Sequence, residues 1–356
     1  MTQQKNCDLI ESIPWRFQRG VHNAIIDVGN IRAGHLTLSK DIMDKSDKKV
    51  KIRTGLTAVL PGDMRSEERY FIGFFQTGGS GEISGYQVIE DFRYLNSPLV
   101  LSNIHNLGSA YNGVLSYGFE LGRSEIWPPM VLSIDDSHLD GSTAAIATEA
   151  DILQLFSKAS NLSVEEGSVG IGVGLQAFGW KGGIGSSSRM FTVDERRFSV
   201  GALVASNFGN GHGFNRKKDK LNPERRFLKS AGSLSIILSA DVPLLPYQIK
   251  RIATGVVLGL PLERFIDKEQ DSILCLLFSV AHAMTMKEEG PKVFEYTLSS
   301  DAVLNLTEEA ASESVKEAIL RSVCLSAPID GKNGRTSHPM PGTHFRSLLK
   351  VFEETV

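Results

Sequence analysis

The punctuation of this chain most constrains its fold. Short apolar runs closed by Gly, Pro, Asn or Asp alternate irregularly with longer stretches in which apolar residues recur every three or four positions. Ala24–Val28, Leu56–Leu60, Tyr70–Phe75, Leu99–Ser102, Met130–Ser133, Ser168–Leu175, Phe198–Ser206 and Leu234–Ala240 read as strands. Ala144–Ser157, Tyr247–Leu258, Ile273–Met286 and Glu308–Leu325 have helical spacing. Thr307, followed by Glu308 and Glu309, reads as the N-cap of the last helix. The mixture predicts sheets layered with helices, an α/β (α+β) class, and the scarcity of regular βαβ spacing counts against a doubly wound parallel sheet. There is no internal repeat and no convincing linker, so residues 1–356 read as one domain, with the polar stretch Gly209–Lys229 as a surface loop.

At 356 residues the chain buries a core without staples. Its three cysteines, Cys7, Cys275 and Cys324, have no metal-ligand spacing and read as idle thiols of a reducing compartment. Met1–Trp15 lacks the apolar core of a signal peptide and no window is long enough to span a membrane, so a soluble, cytoplasmic protein is expected. With 38 basic and 41 acidic residues the net charge is -3, which gives no general attraction to nucleic acid. The basic segments Arg216–Lys220 and Pro223–Arg226 are interleaved with acids and read as solvated loop, not as a nucleic-acid site.

Glycine-rich SVGIGVGL, with Gly170, Gly172 and Gly174, and GGIGSSSR match neither the dinucleotide fingerprint nor the P-loop, so no cofactor is expected. Their glycines read as tight turns or close backbone approach. No serine sits in a G-x-S-x-G elbow, and none of the eight histidines pairs at i, i+4. A nucleophile that needs no histidine remains open at Gly232-Ser233, where the basic loop meets an apolar run. Cleavage before Ser233 frees an α-amine of pKa about 7.7 to 8.0, which can act as general base for the hydroxyl of the same residue. Strand alternation puts Leu234, Ile236 and Leu238 on one face, and Ser233, Ser235 and Ser239 on the other. Locally, an ordinary serine at a loop-to-strand junction fits the same residues.

Segments along the whole chain add to that reading. AIIDVGNIRAGHLTL (Ala24–Leu38), TGLTAVLP (Thr54–Pro61), GGSGEISG (Gly78–Gly85), FGWKGGIGSSSR (Phe178–Arg189), GALVASNFG (Gly201–Gly209), GSLSIILSADVPLLPYQIKR (Gly232–Arg251) and DGKNGRTSHPMP (Asp330–Pro341) stand in the order of the DmpA family. This family, peptidase family S58, comprises N-terminal-nucleophile hydrolases that include L-aminopeptidase/D-amidase/esterases and β-peptidyl aminopeptidases. The resemblance implies a four-layer α-β-β-α sandwich and self-cleavage between Gly232 and Ser233 into an α chain, 1–232, and a β chain, 233–356. It implies short peptide, amide or ester substrates, no cofactor or metal, and a homo-oligomer, a tetramer of processed αβ units. It also implies Ser233 as nucleophile and base, Asn207 as oxyanion donor and Lys181 as a nearby positive charge.

Two segments depart from the family pattern. Asp271, Ser272 and Ile273 stand ahead of LLFS where the family has Ser-x-Glu ahead of a helix; Asp271 is left to orient the amine and Ser272 to neighbour it. Asp135–Asp140 replaces a segment carrying an oxyanion tyrosine, leaving His138 or Asp135 to fill its space. A carboxylate there opposes catalysis unless it is protonated or paired. These departures keep a second reading alongside the enzyme, that of a catalytically impaired relative acting in binding or assembly.

Overall fold

The computed structural model describes residues 2–66, 68–78, 81–123, 128–209, 232–266, 271–285 and 293–354. Most of the expected Gly209–Lys229 loop, with both basic segments, lies outside the described residues. Helix α1 (Thr2–Glu11) precedes a long hairpin of strands β1 (Arg32–Met43) and β2 (Lys49–Leu60). Strand β3 (Glu68–Gln76), helix α2 (Tyr86–Phe92), strands β4 (Tyr94–Leu95) and β5 (Leu99–Ser102), helix α3 (Leu107–Glu120), strand β6 (Met130–Ser133) and helix α4 (Glu149–Lys158) follow. The two-residue strands β7 (Gln176–Ala177) and β8 (Trp180–Lys181) lead into the hairpin of β9 (Ile184–Val193) and β10 (Arg196–Asn207). Then come β11 (Ser233–Ala240), helix α5 (Pro246–Leu258), β12 (Ser272–Thr285), helix α6 (Asp301–Cys324), the pair β13 (Ile329–Asp330) and β14 (Thr336–Ser337), and helix α7 (Gly342–Glu353).

These elements make two mixed sheets, one in the order β1-β2-β5-β6 and one in the order β4-β3-β12-β11-β10-β9. Three separate apolar layers hold four structural layers together. Val59, Leu99, Leu101 and Leu132 of the smaller sheet meet Phe74, Leu203, Ile237 and Leu276 of the larger between the sheets. Helices α3 and α4 cover the outer face of the smaller sheet through Val114, Ile152 and Phe156. Helices α5 and α6 cover the larger sheet through Ile252, Val256, Val315 and Ile319, with α1 and α7 at their flank. The arrangement is the α-β-β-α sandwich.

Strand β11 runs through the middle of the larger sheet, antiparallel to β10 and parallel to β12. Leu234, Ile236 and Leu238 point into the helix-side core and Ile237 into the inter-sheet core. By alternation Ser233, Ser235 and Ser239 share the inter-sheet face with Ile237.

The structure corrects five element readings. Ile273–Met286 is not helical: Ser272–Thr285 is strand β12, with Ile273, Cys275 and Leu277 in one core and Leu274, Leu276 and Phe278 in the other. A strand buried on both faces is apolar at every position, so its sequence imitates a buried helix. Ala24–Val28 is a 3-10 turn, because the Asp27 carboxylate accepts the N–H groups of His22 (2.9 Å) and Ala24 (3.1 Å), a local alternative to a ladder. Gly170–Gly174 is likewise a 3-10 turn, with Gly170 at φ +53°. The close-approach reading of its glycines holds, since a Cβ at Gly174 would lie 2.4 Å from the Arg53 carbonyl. Helix α6 begins at Asp301, not after Thr307, whose hydroxyl donates to the Val303 carbonyl (2.7 Å) inside the helix. Helix α4 starts at Glu149 rather than Ala144, where Thr148 and Asp151 form a reciprocal cap.

Candidate active site

The register of three strands brings the candidate residues to one end of the larger sheet. Ser233 opens β11; its antiparallel partner across the ladder is Asn207, the last residue of β10, and its parallel partner is Ser272, the first of β12. Asp271 immediately precedes Ser272. All four are nearly out of solvent, at 7% (Ser233), 7% (Asn207), 8% (Asp271) and 3% (Ser272) exposure. Ser233 Oγ is buried and has no hydrogen-bond partner among the described residues. Buried hydroxyls are ordinarily satisfied, and an orphan costs roughly 1–3 kcal/mol.

The peptide before Ser233 is held on both sides. The Gly232 carbonyl accepts the Ser272 N–H at 2.9 Å, and the Asp271 carboxylate accepts the Gly209 N–H at 3.2 Å. That carboxylate lies against the α-carbon of Gly232: a Cβ there would sit 2.1 Å from Asp271 Oδ1 and 2.9 Å from the Asn207 carbonyl. Only glycine fits the position.

The Asn207 amide is fixed in orientation. Its Oδ1 accepts the Gln176 N–H at 2.9 Å, and its Nδ2 donates to the Asp135 carbonyl. Asp135 thus meets Asn207 through its backbone, while its carboxylate turns to the Ser137 N–H at 2.8 Å.

Lys181 is fully buried, not solvated, and its ammonium donates to the carbonyls of Gly172 (2.7 Å), Leu175 (2.9 Å) and Gly182 (2.6 Å). Burial draws its pKa down to about 7; three acceptors, one for each N–H of an ammonium, oppose that pull. Lys181 therefore braces the Gly170–Gly174 turn and, through its ladder pairing with Gln176, stands one residue behind Asn207. His138 packs toward the C-terminal segment, where its carbonyl accepts from Arg335 at 3.0 Å. Burial, then the charges of Arg335 and Lys332, pull the imidazole down to about 4, so it is neutral at pH 7.

Three neighbours escape a reading of the sequence. The Thr77 hydroxyl accepts the Ile273 N–H at 3.0 Å, and a Cβ at Gly81 would lie 3.7 Å from Ser272 Oγ, so both residues reach the site. Gln176, 8% exposed, donates from Nε2 to Ser337 Oγ (2.9 Å) and joins Asn207 to the Asp330–Pro341 segment. A lone glutamine in an apolar, glycine-rich stretch is the only signal that could have marked it. Two clefts lie elsewhere: one of about 860 Å3 at the tip of the β1–β2 hairpin and one of about 510 Å3 between Arg16 and Glu308; neither is lined by Ser233, Asn207 or Asp271. No cluster of His, Cys, Asp and Glu able to hold a metal occurs among the described residues, and none of their helices is long and apolar enough to cross a membrane.

Asp136 is the other unusual group here. It is buried, accepts from Asn103 Nδ2 at 3.2 Å, and leaves Oδ2 without a hydrogen-bond partner among the described residues. Burial, then the nearby Asp140 carboxylate, raises its pKa to about 8, against the hydrogen bond from Asn103 that lowers it; Asp135 adds to the rise. The folded protein thus keeps a proton that the unfolded chain loses near pH 4. The stability held by the neutral acid is complete below that pH and is lost as pH rises toward 8, by up to roughly 1.4 kcal/mol per pH unit. Asp136→Asn removes this slope: in urea melts it gains stability over wild type between about pH 5 and pH 8, and parallel pH profiles would exclude the assignment.

The two facing sheets between helical layers, with a buried serine opening a central strand, define an N-terminal-nucleophile hydrolase type of fold. A solved structure of that type, the L-aminopeptidase D-Ala-esterase/amidase of Ochrobactrum anthropi, superposes with a TM-score of 0.80 at 24% identity over 97% of this chain and 98% of its own. The chain belongs to peptidase family S58, whose model matches residues 23–337. It is 28% identical to the β-peptidyl aminopeptidase BapA of Sphingosinicella microcystinivorans over 96% of this chain and 91% of that protein. It is also similar to the solved β-aminopeptidase of a Burkholderia species, with a TM-score of 0.80 and 25% identity over 100% and 99% of the two chains.

Proposed function

We propose that this protein is a self-processing aminopeptidase that releases N-terminal residues from short peptides, amides or esters through an acyl-Ser233 intermediate. The observation that carries the reading is the buried Ser233 hydroxyl, without a hydrogen-bond partner among the described residues and set in register between Asn207 and Ser272. Membership of a peptidase family and the likeness to β-peptidyl aminopeptidases support it.

In processing, Ser233 Oγ attacks the Gly232 carbonyl carbon, which the Ser272 N–H polarises. The bond to the Ser233 nitrogen breaks, that nitrogen takes the hydroxyl proton, and the chain is left as an ester. Water hydrolyses the ester, giving a Gly232 carboxylate and restoring the Ser233 hydroxyl beside a free amine. Asp271, already against Gly232, then holds that amine. In turnover the amine takes the Oγ proton as Oγ attacks the substrate carbonyl, and an Asn207 N–H stabilises the oxyanion. The amine returns the proton to the leaving group, and water attacks the acyl-serine by the reverse sequence. Apart from water, every group this mechanism uses is a residue of the chain.

Intact-mass measurement and N-terminal sequencing of the purified protein test the first step. The expected result is two fragments, one beginning at Ser233. A single 38.9 kDa chain with no activity on aminoacyl p-nitroanilides would replace this reading with that of a binding protein.

A further inference from the structure

Both hydrogen bonds that fix the Asn207 amide come from backbone that one buried acid joins. Asp136 follows Asp135, whose carbonyl accepts from Asn207 Nδ2. Its side chain also seats on Gly174, two residues before Gln176, whose N–H meets Asn207 Oδ1. A Cβ at Gly174 would lie 2.6 Å from the Asp136 Cβ and 3.3 Å from its Cγ. Lys181 holds the same turn through the carbonyls of Gly172 and Leu175, which leaves Gly174 between them to be held by Asp136.

Asp136 is 2% exposed and fixed from several sides. Its carbonyl accepts the N–H groups of Leu139 (3.1 Å) and Asp140 (3.0 Å), and the Ile134 N–H donates to the Ser102 carbonyl at 2.8 Å, so the loop leaves β6 bonded to the end of β5. Asn103 Nδ2 donates to its Oδ1 at 3.2 Å. Asn103 cannot turn its oxygen there instead, because that oxygen already accepts the N–H (3.0 Å) and Nδ2 (2.8 Å) of Asn106.

We infer that Asp136 is a positioning residue for turnover: its carboxyl group ties the Asp135 carbonyl to the Gly174–Gln176 backbone and thereby aims the Asn207 amide at the oxyanion. Its effect on rate rests on the acyl-Ser233 reading; its hold on Asn207 does not. The tie lasts while the acid is neutral. Asn103 is the donor at Oδ1, and Oδ2 has no hydrogen-bond partner among the described residues. Asp140, by contrast, accepts the Arg53 N–H (2.7 Å), the Ser142 N–H (3.1 Å) and the Ser142 hydroxyl. The charges facing Asp136 are those of Asp140 and Asp135, both negative, while the Arg53 guanidinium of β2 is turned to the Asp330 and Lys40 carbonyls and to Asp41. Burial and these two charges keep Asp136 neutral up to about pH 8. On ionisation the side chain is driven toward water and off Gly174, which loosens the Asp135 carbonyl and the Gln176 N–H together.

The test measures kcat and KM on an aminoacyl p-nitroanilide from about pH 6 to pH 10 for wild type, Asp136→Ala and Asp136→Asn, with the folded fraction followed by circular dichroism. Wild-type kcat rises as the Ser233 amine loses its proton near pH 7.7 to 8.0 and falls again as Asp136 ionises above about pH 8. Asp136→Ala lowers kcat by roughly 10- to 100-fold at every pH with little change in KM, the loss expected when an oxyanion donor is misaimed. Asp136→Asn, which keeps the shape and the Asn103 hydrogen bond but does not ionise, restores kcat and removes the falling limb. Wild-type and Asp136→Asn profiles that fall in parallel, or an unchanged kcat in folded Asp136→Ala, would overturn the inference. A wild type that neither cuts itself nor turns over substrate would refute the acyl-Ser233 reading instead, and the Asn207 amide then gives the answer directly. In protein labelled with 15N at asparagine side chains, its signal, identified by loss in Asn207→Ala, shifts through about pH 8 in wild type and not in Asp136→Asn. A wild-type Asn207 signal that ignores pH refutes the positioning role whether or not the protein is an enzyme.

Discussion

Ser233→Ala remains a single chain of 38.9 kDa, turns over no aminoacyl substrate, and unfolds at a temperature equal to or above that of a wild type held as precursor. The three parts have separate causes. Removing Oγ removes the attacking atom of both self-cleavage and acyl transfer; loss of a serine nucleophile costs on the order of a million-fold in kcat in comparable hydrolases. The stability part follows from the environment of the hydroxyl. It makes no hydrogen bond among the described residues and is buried, so alanine gives up no partner and relieves an unsatisfied polar atom. An ordinary structural serine behaves in the opposite way, losing stability and leaving activity intact. Ser233→Cys serves as a second variant, because it keeps a nucleophile at the same strand position. A Ser233→Ala protein that is still cut before residue 233, or that retains aminopeptidase turnover, refutes the nucleophile assignment.

What the sequence made legible depended on how each segment is buried. Short strands with clear turn residues at their ends, such as Leu99–Ser102 and Met130–Ser133, match the structure residue for residue. Strand β12 does not, because both its faces are buried and its unbroken apolar run has no period-2 signal. The Gly170–Gly174 turn was hidden for a different reason: what bends it is the Lys181 ammonium, which gathers carbonyls at Gly172, Leu175 and Gly182. Tertiary contacts of that sort leave no local pattern. At the site, Ser233 and Asn207 could be placed at strand ends from the limits of their apolar runs, but their mutual register could not. Asp271 and Ser272 entered only through family likeness, and their neighbourhood to Gly232 appears once β12 is a strand parallel to β11. Gln176 and Thr77 act through hydrogen bonds to backbone and carry no motif.

Asn207→Ala separates turnover from processing. The Gly232 carbonyl, the proposed point of cleavage, already has the Ser272 N–H as a donor, so the fragment beginning at Ser233 is expected still to form. In the proposed turnover an incoming substrate carbonyl relies on the Asn207 amide, whose orientation is set by Gln176 N–H on Oδ1 and by the Asp135 carbonyl at Nδ2. Losing one such donor lowers kcat by roughly 10²- to 10³-fold with little change in KM, because the hydrogen bond strengthens only as charge develops on the oxygen. The substitution also leaves the buried Gln176 N–H without its acceptor, a stability cost of about 1–3 kcal/mol, which a urea melt measures independently of the kinetics. Asn207→Asp restores that acceptor and hence the stability, but it sets a carboxylate where the oxyanion forms and keeps kcat low. A purely structural asparagine gives the reverse pattern, with activity following stability and recovering in Asn207→Asp. Processing lost together with turnover in Asn207→Ala would show instead that one donor serves both reactions, and that the Ser272 N–H is only a rung of the β11–β12 ladder.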